Sequence, residues 1–258
     1  LMAGELVLKG STTVLPIAQK AAEGYMKVYP DVKISLSGGG SGNGIKAIID
    51  KTADIGNASR FIKQKEINLA MAKGVYPVPF RVALDSIVPV VNNSNPISNI
   101  TMTQLKEIYL GKIRNWKELG GKPGRIVVIS RDSSSGTFGV WKDIVMEKER
   151  VIPNALTVPS NGGIVQAVSK TPGAIGYIGL GYINDDLKAL TVDGIEGSEE
   201  NTLNGTYPIA RGLFMFTSGW PEGETMSFIS FILSREGQDL VKKAGSIATR
   251  CQGVFISH

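Results

Sequence analysis

The sequence predicts a two-lobed α/β fold with a ligand cleft between the lobes. Units of strand, polar turn and helix repeat through residues 1–80, a pattern typical of α/β proteins with largely parallel sheets. Two long apolar stretches, near residues 80–92 and 206–217, indicate extended chain. Because these stretches bracket the middle of the sequence, we predict that they cross between the lobes, and small ligands usually bind in such clefts.

Composition narrows the functional classes. The chain has 258 residues and a net charge of +5 at pH 7, with its lysines scattered rather than clustered. The scattering of the lysines argues against a nucleic-acid partner, whereas the surplus of positive charge suits a small anionic ligand. The single cysteine, Cys251, and the single histidine, His258, cannot build an internal disulfide or a common zinc site. We therefore expect no metal and no cofactor.

The first part of the chain alternates clearly between strand and helix patterns. Strands are predicted in ELVLKG, VKISLS and DIGNA, and GGGSGNG is predicted to be a loop. Helices are predicted in VLPIAQKAAEGYMKVYP, IKAIIDKTA and SRFIKQKEINLAMAKG.

The rest of the chain continues the alternation. Helices are predicted in TMTQLKEIYLG, FGVWKDIVME and GGIVQAVSKTPG, and strands in RIVVIS and AIGYIG. The stretch GETMSFISFILSREGQDLVKKAG is predicted to be helical with a break near SREG. Because the two extended stretches are predicted to cross between the lobes, we predict a first lobe at 1–82, a second lobe at 83–210 and a return to the first lobe at 211–258.

Four polar turns each end a strand and open a helix: KGSTTVLP, SGGGSGNGI, IGNASRFI and SRDSSSGTF. The first N–H groups of a helix lack intrahelical partners, and together with hydroxyl donors they bind oxyanions without catalysing a reaction. For any one turn, ordinary helix capping is a sufficient explanation. The last turn contains more polar groups than a helix cap requires, because a cap needs one hydroxyl and this turn has three serines and Arg131. The guanidinium of Arg131 suits bidentate contact with an oxyanion.

Two common enzyme motifs are missing from the sequence. GGGSGNGIK is not a phosphate-binding P-loop, because no Lys-Ser or Lys-Thr pair follows its last glycine. No G-x-S-x-G motif is present, and the only histidine is the last residue, so a serine hydrolase has no base. We therefore predict a binding protein with no catalytic residues.

The segments LKGSTTVLPIA, SGGGSGNGIKAI, TADIGNASR, IYLGKIRNWKELGG, ISRDSSSGTF and TPGAIGYI occur in an order and spacing that resemble the phosphate-binding proteins of bacterial and archaeal phosphate ABC transporters. The resemblance runs over most of the chain, and GKIRNW followed by SRDSSSGTF is its most specific part. It implies a type II periplasmic-binding-protein fold, in which each lobe is a mixed sheet flanked by helices and two crossing strands form the hinge.

The resemblance also implies a set of ligand-binding residues. In the first lobe these are Thr12, Thr13, Ser41 and the third-turn serine, Ser59. In the second lobe they are Arg131, Ser135, Gly136 and Thr137. These residues would hold phosphate through hydroxyls, backbone N–H groups and one guanidinium.

One position departs from the family pattern. Well-known members have an aspartate after the third-turn serine, which accepts the proton of phosphate and so helps to reject sulfate, but here Arg60 follows Ser59. Arg60 either contacts the ligand or pairs with a carboxylate at the cleft mouth. Asp85 is the first candidate for the missing acceptor, ahead of Asp54 and Asp132, and a structural salt bridge at the hinge is the alternative role for Asp85.

We therefore expect a monomeric receptor with high affinity for inorganic phosphate, acting in the periplasm or otherwise outside the cytoplasm, with anchoring as a lipoprotein one possible arrangement. It would close its lobes over phosphate and deliver it to an ABC permease driven by an ATPase. A receptor for another tetrahedral oxyanion, sulfate or molybdate, is the alternative, and an enzyme acting on phosphate esters ranks third.

Overall fold

A computed structural model describes residues 5–249, so Cys251 and His258 lie outside the described residues. Eleven strands occur in this part of the chain: β1 (Glu5–Gly10), β2 (Lys33–Ser37), β3 (Ile55–Ala58), β4 (Pro77–Asn92), β5 (Asn99–Ile100), β6 (Val127–Arg131), β7 (Leu156–Val158), β8 (Ala174–Gly179), β9 (Leu187–Ala189), β10 (Thr191–Val192) and β11 (Ala210–Ser218).

The same part of the chain contains nine α-helices, seven between the strands and two after β11: α1 (Leu15–Val28), α2 (Ser41–Ile49), α3 (Gln64–Ala72), α4 (Met102–Tyr109), α5 (Gly136–Ile144), α6 (Asn161–Lys170), α7 (Glu199–Leu203), α8 (Gly223–Leu233) and α9 (Arg235–Lys243). The predicted break near SREG is confirmed, because Ser234 ends α8 and caps α9. None of the helices in the described range is long and apolar enough to cross a bilayer.

The strands form a mixed sheet in the order β2-β1-β3-β11-β4-β8-β6-β7, with β9 beside β4, while β5 and β10 pair separately. Strands β1, β2 and β3 run parallel, whereas β11 is antiparallel to both of its neighbours. The predicted mixed α/β architecture is confirmed.

Strand β4 joins the two lobes. Its 16 residues pair with β11 as far as Ser86 and with β8 from Ile87 onwards. Strand β11 lies antiparallel to the first half of β4, so the two predicted crossing stretches are adjacent, although the second is extended only from Ala210 onwards and its residues 206–209 precede the strand. The lobe boundaries at 82/83 and 210/211 stay a prediction. The point at which β4 changes its partner from β11 to β8, between Ser86 and Ile87, lies close to the first of these boundaries.

Each lobe has its own apolar core on both faces of its sheet. In the first lobe, helices α1, α8 and α9 cover one face, and α2 and α3 cover the other. In the second lobe, Trp141 stacks on Tyr177 with ring centroids 4.1 Å apart, and α6 covers the opposite face. These cores hold the strand ends, and thus the polar turns, in fixed positions.

The glycine-rich stretch predicted as a loop is partly helical. Helix α2 begins at Ser41, so the residues up to Gly44 form its first turn. A Cβ at Gly44 would lie 2.7 Å from the carbonyl oxygens of both Lys9 and Asn57. The glycine therefore serves close packing of the helix on β1 and β3 rather than loop flexibility.

Candidate anion-binding site

The polar turns of the first lobe meet at the ends of β1 and β3. Ser41 Oγ at the start of α2 lies 3.2 Å from Ser59 Oγ and accepts a hydrogen bond from the Ser59 amide at 2.9 Å. Thr12 and Thr13 occupy the turn before α1, and all four residues are buried. Three chain segments that are distant in sequence thus place hydroxyls in one buried cluster.

The fourth turn brings the second lobe to the same cluster. Thr137 Oγ1 lies 3.2 Å from Thr13 Oγ1 across the cleft. A Cβ at Gly136 would lie 2.2 Å from Ser41 Oγ and 2.5 Å from Ser59 Oγ, so only glycine permits this approach of the lobes. Ser135 caps α5 by accepting a hydrogen bond from the Phe138 amide at 3.1 Å.

Arg131 ends β6 and supplies the site with a buried cation. Its Nη2 donates to Pro159 O at 3.0 Å and to Thr12 Oγ1 at 3.3 Å. Its Nε and Nη1 are buried and have no hydrogen-bond partner among residues 5–249. Burial lowers the pKa of Arg131, yet a guanidinium stays charged in proteins. Two charged donors are therefore available to an anion.

Tyr177 holds the strand that carries Arg131. Its hydroxyl accepts from the Arg131 amide at 3.2 Å and lies 3.0 Å from Ser130 Oγ. Burial raises the pKa of Tyr177 to about 12, so the phenol keeps its proton at neutral pH. The end of β6 is thus fixed by a neutral side chain that adds no charge beside the guanidinium.

Arg60 forms the carboxylate pair that was one of its two predicted roles. Its Nη1 and Nη2 lie 2.8 and 2.7 Å from the two carboxylate oxygens of Glu66. Burial acts to raise the pKa of Glu66, but the hydrogen bonds from Arg60 and from the Lys63 amide outweigh it, and the pKa is lowered. Arg60 therefore adds no net positive charge to the site, because the carboxylate of Glu66 neutralises its guanidinium.

Asp85 forms the hinge salt bridge given as the alternative to a proton acceptor. Its Oδ2 accepts from Nε and Nη2 of Arg211 at 2.9 and 2.7 Å, and its Oδ1 accepts from the Leu180 amide at 2.9 Å. The side chain is fully buried. Both of its oxygens are thus engaged by donors of the protein itself.

The other two acceptor candidates are engaged elsewhere. Asp54 accepts from the Val7 amide at 2.8 Å in an exposed position on the first lobe. Asp132 accepts from the amide of Ser134 at 2.8 Å and from its hydroxyl. The described hydrogen bonds place neither carboxylate against the threonine hydroxyls.

Arg211 and Asn161 belong to the cluster but were not predicted. Arg211 Nη1 donates to Thr137 Oγ1 at 2.9 Å, and its Nη2 lies 3.4 Å from Thr13 Oγ1. Asn161, the first residue of α6, donates to Thr13 Oγ1 at 2.9 Å. A lone arginine within the apolar stretch around β11 was the available signal for Arg211.

The lobes also touch at the mouth of the cleft. The Gly42 amide donates to Ser134 O at 2.9 Å, and Ser134 Oγ lies 3.1 Å from Gly39 O. A Cβ at Gly40 would lie 2.4 Å from Ser134 Oγ. With these contacts in place, the hydroxyl cluster is enclosed between the lobes.

The charge balance of the cluster is unequal. Three arginines are buried, Arg60, Arg131 and Arg211, and two of them have carboxylate partners. Arg131 has none within the described residues. Because a buried charge without a partner is costly, the arrangement favours a bound anion at Arg131.

In the same described range, no group of histidine, cysteine, aspartate and glutamate side chains is arranged to hold a metal ion.

Comparison with family models matches residues 2–236 to the PBP superfamily domain. The phosphate-binding protein PstS of Bacillus subtilis strain 168 is 33% identical over 236 residues, which cover 91% of this chain and 77% of that protein. PstS of Borreliella burgdorferi is 32% identical and covers 93% of this chain and 88% of that protein.

Solved structures agree with the sequence relatives. A Clostridium perfringens crystal structure with bound phosphate, of a protein assigned as the substrate-binding component of a phosphate ABC transporter, superposes with a TM-score of 0.90 at 37% identity. The match covers 96% of this chain and 100% of that one. An ABC-type phosphate transport receptor from Vibrio cholerae superposes with a TM-score of 0.76 at 31% identity, covering 94% of this chain and 99% of that one.

Proposed function

Because this chain belongs to the family of phosphate-binding proteins of phosphate ABC transporters, we propose that it binds inorganic phosphate outside the cytoplasm and delivers it to an ABC permease. The observation that carries the proposal is the buried guanidinium of Arg131, whose Nε and Nη1 lack partners within residues 5–249. The likeness to a phosphate-bound relative at 37% identity supports the choice of phosphate.

In this proposal the ligand is held between the two lobes by side chains from four turns. The ligand-binding residues are Thr12, Thr13, Ser41, Ser59, Arg131, Ser135, Gly136 and Thr137. The amides at the starts of α1, α2 and α5 contribute the partial positive charge of helix N-termini. In this proposal the named residues donate hydrogen bonds to the anion and leave its bonds intact, so the protein acts as a receptor rather than an enzyme.

Two residues named from the sequence take supporting roles. Asp85 anchors Arg211, and Arg60 with Glu66 fixes the turn after β3. Closure of the lobes removes water from the anion and creates the surface that the permease recognises. The receptor works as a monomer, and an ATPase on the permease supplies the energy for transport. Anchoring as a lipoprotein stays a prediction.

Titration calorimetry of the whole chain against phosphate, sulfate and molybdate tests the proposal. We expect phosphate to bind most tightly at neutral pH, with a small margin over sulfate, because Asp54, Asp85 and Asp132 are engaged by donors of the protein itself. Tighter binding of sulfate or molybdate would overturn the choice of phosphate, and no binding of any oxyanion would overturn the receptor itself. Release of phosphate from a phosphate ester by the purified protein would contradict the non-enzymatic role.

A further inference from the structure

The hydroxyls of Thr12 and Thr13 are each approached by two nitrogen donors. Nδ2 of Asn161 lies 3.2 Å from Oγ1 of Thr12 and 2.9 Å from Oγ1 of Thr13. The second donor to Thr12 is Nη2 of Arg131 at 3.3 Å, and the second donor to Thr13 is Nη2 of Arg211 at 3.4 Å. A hydroxyl has two lone pairs and one hydrogen, so each of these oxygens has both lone pairs occupied. Both threonines can therefore only donate.

The orientation of the Asn161 amide is fixed from its other end. Its Oδ1 accepts a hydrogen bond from the Gly179 amide at 3.3 Å, so its NH₂ group must face the two threonines. The side chain is fully buried, and Ser160 caps the helix that it begins. Only one of the two orientations of the Asn161 side-chain amide therefore satisfies all of these hydrogen bonds.

The direction of the hydrogen bond between Thr13 and Thr137 follows from the same count of lone pairs. Its Oγ1 accepts from Nη1 of Arg211 at 2.9 Å and lies 3.2 Å from Oγ1 of Thr13. Since Thr13 has no free lone pair, any hydrogen bond between the two hydroxyls runs from Thr13 to Thr137. The hydrogen of Thr137 is then the group left for a ligand.

We infer that Asn161 is a positioning residue that fixes the direction of the threonine hydroxyls, so that Thr12 directly and Thr13 by way of Thr137 present a hydrogen toward an oxyanion, although Asn161 itself need not contact the ligand. This inference rests on the proposed function. Without the amide, each hydroxyl regains a free lone pair and can turn its hydrogen away from the anion. Asn161 thereby makes the pocket complementary to unprotonated ligand oxygens, which only accept hydrogen bonds.

A double-mutant cycle measured by phosphate calorimetry tests whether Asn161 acts through the hydroxyls. We expect Asn161→Leu alone to weaken phosphate binding about tenfold, because the donors lose their fixed direction. In a Thr12→Val and Thr13→Val background, where the hydroxyls are gone, the same change should weaken binding less than about threefold. Equal losses in both backgrounds would overturn the inference.

The control variant is Asn92→Leu. Asn92 is also a mostly buried asparagine of the second lobe, and its Nδ2 donates to the carbonyls of Val168 and Ser169 at 3.0 and 2.8 Å. We expect this variant to lose stability while keeping wild-type phosphate affinity. A comparable loss of affinity would mean that general loosening of the lobe explains the Asn161 result, which would also overturn the inference.

Asn161→Asp supplies a second measurement if the leucine variant does not fold. The ionised carboxylate can only accept, so it draws the threonine hydrogens away from the ligand; when protonated it regains a donor. Taking the ratio of variant to wild-type Kd removes the part of the pH dependence that the two proteins share. We expect a ratio of about 100 at pH 8 that falls at pH 5, and a ratio that does not change with pH would overturn the inference. Failure of the wild-type chain to bind phosphate would instead refute the proposed function.

Discussion

Arg211 on β11 pairs with Asp85 on β4, with both Nε and Nη2 of the guanidinium within 2.9 Å of one carboxylate oxygen. The two residues face each other in the register of the antiparallel strands at the hinge. Burial lowers the pKa of Arg211, and the nearby carboxylate opposes that effect. Because Arg211 also reaches Thr13 and Thr137, the hinge and the hydroxyl cluster form one hydrogen-bonded network.

Asp85→Asn distinguishes a hinge salt bridge from a phosphate proton acceptor. Removing one partner of a buried ion pair leaves the other charge uncompensated, so we expect the free energy of unfolding to fall by about 3–5 kcal/mol. Both carboxylate oxygens are already occupied, so the ratio of phosphate to sulfate affinity should stay at its wild-type value. Denaturant unfolding and calorimetry check the two results. A ratio shifted toward sulfate would restore Asp85 as the proton acceptor.

Arg131→Met removes the charged donors of the site while keeping most of the side-chain volume. We expect phosphate binding to weaken by about 2–4 kcal/mol, since Nε and Nη1 are charged donors with no hydrogen-bond partner within residues 5–249. Calorimetry measures the loss. Arg125→Met is the matched control, because Arg125 is exposed on the same lobe and should leave the affinity unchanged. Unchanged affinity in Arg131→Met would show that the anion binds elsewhere.

Gly40→Ala tests the contact between the lobes at the cleft mouth. The new Cβ would lie 2.4 Å from Ser134 Oγ and 2.9 Å from Ser134 O, so the closed arrangement must open. We expect phosphate affinity to fall at least about tenfold, and small-angle scattering with phosphate should show a less compact molecule.

Gly39→Ala is the control for the glycine variant. Gly39 and Gly40 both have positive φ, at 127° and 99°, so both substitutions carry a backbone cost of about 1–3 kcal/mol. At Gly39, however, the nearest atom to a Cβ is 3.7 Å away and lies on the side chain of Asn43. Equal affinities for the two variants would contradict a role for the Gly40–Ser134 contact.

Glu66→Gln tests the buried pair with Arg60 through the pH dependence of stability. The pKa of Glu66 is lowered in the folded protein, so the pair stabilises above the unfolded value of about 4.3, and this contribution is lost as pH falls through the folded pKa. We expect the variant to be less stable at pH 7 by about 1–3 kcal/mol and to lose less stability on acidification. Chemical denaturation at several pH values measures both effects. Glu23→Gln, an exposed change on α1, should follow the wild-type curve, and identical acid profiles for all three proteins would refute the role of the pair.

The local parts of the fold and site were predictable from the sequence. Each polar turn carries its own signal, because hydroxyls and glycines placed between a strand pattern and a helix pattern mark a helix start. The resemblance to a known family then assigned Arg131 and the threonines to one site. The structure brings these turns together, with Thr13 and Thr137 separated by 3.2 Å.

The partnerships across the molecule were not predictable in the same way. Asp85 and Arg211 are 126 positions apart, and they meet only because β11 returns antiparallel to β4. Asn161 starts a helix, where a polar side chain is ordinary, so its contact with Thr13 has no local signature. The glycine-rich stretch at α2 was misread because its glycines serve close helix packing, which depends on neighbours distant in sequence.

A crystal structure of the chain with inorganic phosphate tests the central claim most directly. We expect one phosphate between the lobes, with its oxygens within hydrogen-bond distance of Nε and Nη1 of Arg131 and of the Thr12 and Thr137 hydroxyls. Phosphate bound at another surface, or between lobes in which Arg131 faces away from it, would contradict the account.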